Sequence, residues 1–248
     1  MLDLSELGKK IVTIPSCEVI CIMKILFCNI AWMDYYKGII KGVDEPRNGG
    51  AYVLENGDAH EAYNFEVVKL SEENGYPEGE YCLGFVETKS TNGNSRNQLN
   101  IEKITGCELC KKENQVEDVL VIYCARYPDS FVQETYVVGW FRHATVYRYY
   151  ETLEFSDGNG GVFYQDYNAI AEKKNCVLLP RSGRRKSNIW RVPRKNSGVS
   201  YGFGQANVWF ASGREQNEYL DAFLTKIVKQ IEEYEGENWR DVYAARLD

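Results

Sequence analysis

Residues 119–125, Val-Leu-Val-Ile-Tyr-Cys-Ala, are apolar without interruption, preceded by Glu117-Asp118 and followed by Arg126. A short apolar run bounded by charge has the character of a strand buried within a sheet. Residues 24–30 share it, and residues 136–141 and 144–150 follow closely enough to be neighbours. Shorter strand candidates are 51–54, 60–68, 81–87, 152–155, 162–164, 176–179 and 206–211. Glu55-Asn56-Gly57-Asp58 and Asp157-Gly158-Asn159-Gly160-Gly161 supply turns, the second reading as a hairpin. Short helices are expected at 98–104 and at 166–174, the latter with Asp166 as N-cap. Tyr219, Leu220, Phe223, Leu224, Ile227, Val228 and Ile231 recur at spacings of one, three and four, which predicts an amphipathic C-terminal helix stopped at Gly236. Many short strands with few helices give an α+β protein.

The charge distribution carries the strongest functional signal. Residues 173–214 hold ten Lys or Arg and no Asp or Glu, whereas the whole chain of 248 residues has a net charge of −7, leaving −17 for the rest. Trp190, Tyr201, Phe203, Trp209 and Phe210 lie in the same window. Cations neutralise phosphates and aromatic faces stack on bases, so this composition fits a nucleic acid. A solvated basic loop offsetting an acidic body is the plain alternative. Arg181, Arg184, Arg185, Lys186, Trp190, Arg191, Arg194 and Lys195 are the candidate nucleic-acid-binding residues, with Arg184, Arg185, Lys186 and Arg191 expected to be exposed together.

Composition bounds the remaining classes. With 44% hydrophobic and 26% charged residues, the chain reads as globular rather than disordered. Pro15, Glu18 and Lys24 interrupt the apolar stretch 11–33, which falls short of the ~18 residues a spanning helix needs. No membrane partner is expected, and residues 1–22 read as an N-terminal extension. The eight cysteines are scattered, several in apolar runs, as in a reducing cytoplasm. Cys107 and Cys110 form one CxxC with no second ligand pair, so neither a metal nor a cofactor is expected.

No catalytic residue emerges. Asp58, His60 and Glu61 could ligate a divalent cation, but no carboxylate pattern of a metal nuclease accompanies them; Glu87-Thr88-Lys89 lacks a partner acid. His143 has no neighbouring Ser or Cys nucleophile and reads as a polar bend between strands. The Gly-rich stretch Asp157 to Gly161 lacks the Lys-Ser/Thr ending of a phosphate-binding P-loop.

The order of strands from residue 24 to residue 150 resembles the PUA-like superfamily and its EVE and YTH branches. The resemblance rests on the opening strand followed by Trp32, on the run 119–125 behind an acidic start, and on Tyr136-Val137-Val138-Gly139-Trp140. It implies a small mixed or PUA-like β-barrel core with an aromatic-walled base pocket, at whose walls Trp32, Tyr123 and Trp140 fall. The expected organisation is a PUA-like β-rich domain over 23–155, with the basic segment and C-terminal helix, 156–248, packed on the same core. The sequence thus reads as a cytoplasmic nucleic-acid-binding protein, DNA favoured over RNA, rather than an enzyme. The resemblance adds modified or flipped bases and a restriction or defence context, with a nuclease as candidate partner protein. A metal-dependent nuclease with an unrecognised acidic site, or a protein-interaction subunit, is the alternative.

Overall fold

The computed structural model describes residues 23–48, 60–88, 98–129, 131, 134–156, 161–196 and 198–243. The expectations for residues 1–22, 51–54 and 55–58, and most of the 157–161 turn, lie outside them. The strands are β1 (Lys24–Ile30), β2 (Val67–Leu70), β3 (Gly79–Gly84), β4 (Gln115–Arg126), β5 (Thr135–Ser156), β6 (Val162–Glu172), β7 (Cys176–Leu178), β8 (Arg191–Val192) and β9 (Val208–Trp209). Two α-helices appear among the described residues, α1 (Arg181–Arg184) and α2 (Glu218–Glu232).

The strands form one mixed sheet in the order β2-β3-β6-β5-β4-β1-β9, with β7 and β8 also paired to β5. This corrects the expected barrel: the order runs from β2 at one edge to β9 at the other, leaving the sheet open. Among the described strands only β1 and β4 run parallel, from Lys24 opposite Val119 to Ile30 opposite Ala125. All other strand pairings are antiparallel. The 22-residue β5 organises the sheet because β4 takes one of its edges while β6, β7 and β8 share the other.

Alternation sends Leu26, Cys28, Ile30, Val121 and Tyr123 to one core, and Ile25, Phe27, Leu120, Ile122 and Cys124 to a second on the opposite face. Both faces are buried, which is why β4 reads as an unbroken apolar run. On β5 a bulge at Val138 resets the phase: Tyr123 faces Gly139 and Cys124 faces Val137, so Val138 is the extra residue. Helix α2 covers the second core with Leu220, Leu224, Ile227 and Ile231, and begins at Asn217, whose side chain accepts the Leu220 N–H at 3.1 Å.

Two expected helices take other forms. Residues 98–104 contain only a 3-10 turn, Ile101–Lys103, and 166–174 falls largely within β6. In β6, Tyr167, Asn168, Ala169, Ile170 and Ala171 are all buried, so the two-residue alternation that marks a strand is erased.

Candidate nucleic-acid interface

The basic segment runs along the β5 edge as β7, α1 and β8, then folds back on itself before β9. Lys195 N–H donates to the Phe203 carbonyl at 2.8 Å, and Phe203 N–H to the Pro193 carbonyl at 3.0 Å. Gly202 makes this return feasible: its φ is +108°, and a Cβ there would lie 2.2 Å from the Pro193 oxygen. The loop forms one wall of a groove of about 570 Å³, lined by Arg191, Arg194, Lys195, Glu134, Thr135, Tyr201 and Phe223 among others. Three cations thus face one carboxylate. Arg191 reaches that carboxylate, Glu134, at 3.5 Å, while Arg194 donates to Thr135 Oγ1 and to the Gly204 carbonyl, each at 3.1 Å. Lys195 is exposed and makes no ion pair with a described residue.

The other cations of the segment separate into two groups. Arg185 and Lys186 are exposed, and the Arg185 guanidinium lies 3.8 Å from the centroid of the Tyr127 ring. Arg181 pairs with Asp34 at 3.1 Å. Arg184 departs from the expected exposed cluster, being fully buried. Its Nε donates to the Leu179 carbonyl at 3.0 Å, Nη2 to the Asp34 carbonyl at 2.8 Å and Nη1 to the Met33 carbonyl, above the Trp32 and Tyr36 rings. A guanidinium fits because its planar fork satisfies several carbonyls at once. Trp190 is also buried, stacked on Trp140 with ring centroids 5.4 Å apart.

The aromatic-pocket expectation is corrected as well. Trp32, Tyr123 and Trp140 are each no more than 1% exposed, and Trp140 lies on the opposite face of the sheet from the other two. They do not line one concavity. Gly139, which invited a ligand in the sequence, instead admits protein: a Cβ there would lie 2.4 Å from the Val177 carbonyl oxygen of β7 and 2.6 Å from the Phe65 ring.

The acidic candidates are dispersed. His60 Nδ1 accepts the Asp166 N–H at 3.2 Å, whereas the buried Glu61 accepts the Ala31 N–H at 3.1 Å; Asp58 lies outside the described residues. Burial, with a contribution from nearby Glu87, pushes the Glu61 carboxyl up to about 7. Among the described residues no group of three or more His, Cys, Asp or Glu is placed to share a metal ion. Cys107 and Cys110 are free thiols, and burial pushes Cys107 up to about 11.

Sequence reasoning missed one pairing. His143 Nδ1 lies 2.7 Å from Asp118 Oδ1, across a sequence gap that no local motif bridges. Comparison with protein-family models, with curated proteins and with solved structures returns no match. No described helix is long and apolar enough to cross a membrane.

Proposed function

We propose that this chain binds single-stranded nucleic acid in the groove between the 193–203 loop and the start of α2. The observation that supports this reading is the grouping of Arg191, Arg194 and Lys195 around one cavity with Tyr201 and Phe223. Cations spaced along a groove track a phosphate backbone, and a half-exposed ring offers a stacking face indifferent to base identity. Arg185 and Lys186 extend the positive surface beyond the groove.

The test is fluorescence anisotropy of a labelled single-stranded oligonucleotide across a salt series. With three phosphates neutralised, log affinity falls against log salt with a slope of about −2. Replacing Arg191, Arg194 and Lys195 together by Ala removes most of the affinity and flattens the slope. Equal affinity in this variant and the parent rejects the groove as the site.

A further inference from the structure

At the other end of α2 lies a second cavity, of about 300 Å³, lined by Met23, Leu120, Val228 and Ile231 together with Asp118, Arg142, His143 and Glu232. It is built by two opposed irregularities. Between the pairs Val116–Val146 and Val119–Ala144, β4 carries an extra residue; between Val119–Ala144 and Val121–Phe141, β5 carries one. Asp118 and His143 sit at these bulges with φ of +59° and +52°, a left-handed backbone uncommon outside glycine. Both side chains are largely exposed, at 63% and 68%. An exposed pair stabilises a fold little, so stability does not account for two such residues facing each other.

The chemistry of the pair follows from its geometry. An ionised carboxylate only accepts, so Nδ1 carries the proton shared with Asp118 and Nε2 of the neutral ring is left as a base. Arg142 lines the same cavity, makes no ion pair with a described residue, and has a buried Nε without a hydrogen-bond partner. A base and a cation therefore meet beside apolar walls, and the described residues of the lining include no hydroxyl or thiol nucleophile. Phosphodiester cleavage under those conditions suits a substrate that carries its own nucleophile, and RNA does so in its 2′-hydroxyl. Along α2, Phe223 at the groove and Ile231 at this cavity are eight residues apart, about 12 Å.

Resting on the nucleic-acid reading above, we propose that Asp118, His143 and Arg142 form a site that cleaves RNA by internal transesterification. His143 Nε2 takes the 2′-hydroxyl proton, the 2′ oxygen bonds to phosphorus, and the P–O5′ bond breaks with its electron pair leaving on the 5′ oxygen. That oxygen takes a proton from water, and His143 later returns its proton to solvent. The products are a 2′,3′-cyclic phosphate and a 5′-hydroxyl. Arg142 holds the phosphate and offsets its developing charge, while Asp118 is a positioning residue that fixes the tautomer.

The experiment incubates the full chain in excess EDTA with three single strands of one sequence: RNA, DNA and 2′-O-methyl RNA. RNA is cut to cyclic-phosphate ends, and the other two remain intact. His143→Ala slows cutting by about 100-fold or more while RNA affinity and melting temperature are retained. Asp118→Asn lowers the rate and alters the pH–rate profile, a readout that a purely structural role would not change. Intact RNA overturns the proposal, and the anisotropy measurement then shows whether binding fails with it or survives without the step. Cutting that is undiminished in His143→Ala, or that extends to the 2′-O-methyl strand, overturns it equally.

Discussion

Arg184 is fully buried, and its hydrogen-bond partners are carbonyls of its own chain. Met33 and Asp34 precede it by 151 and 150 residues, so one side chain ties α1 to the loop after β1. Arg184→Lys keeps the charge but loses the fork, leaving buried carbonyls unpaired at about 1–3 kcal/mol each. A clear fall in melting temperature is expected, with oligonucleotide affinity of the folded fraction unchanged. Glu61 offers a pH test. Its folded pKa of about 7 lies above the ordinary value of 4.5, so the folded state favours the protonated form. The sign follows: the associated stability is present below pH 4.5 and lost as pH rises through 7. Glu61→Gln, which stays neutral, becomes progressively more stable than the parent between pH 5 and 8 in paired thermal melts. A constant difference across that range would disprove it. Neither role was legible in sequence. An Arg in a basic run and a Glu after a turn look solvated until distant backbone closes over them.

Elements were more legible than roles, because periodicity survives without knowledge of partners. The β1 and β4 runs mark strands, and the spacing of Leu220, Leu224, Ile227 and Ile231 identifies the buried side of α2. Where both faces are covered, as along β6, period and propensity no longer separate strand from helix. The bulges were invisible for a related reason: an extra residue is defined only against its partner strand. Trp140 shows the consequence for function. Between Trp190 at 5.4 Å and Tyr234 at 5.3 Å, it joins β5, the basic segment and the chain after α2. Trp140→Ala is therefore expected to cost about 3–5 kcal/mol in denaturant unfolding. Normal stability with impaired binding would return it to a ligand role. Leu224→Ala, at 2% exposure, removes contact between α2 and the second core and is expected to cost about 2–5 kcal/mol by the same measurement.

For the molecule as a whole, the pairing of β1 sets the order of events. The first described strand lies between β4, which begins at Gln115, and β9, which begins at Val208. Both neighbours are made later, and the parallel one cannot be reached by a tight turn. During synthesis, the apolar β1 therefore emerges with both edges open and waits for most of the chain. Contacts that close such long loops are slow to form, so refolding is expected in milliseconds to seconds rather than microseconds. An incomplete chain ending before β4 would carry this unpaired apolar strand and be prone to stick to its own copies, whereas the finished protein has enclosed it on both sides.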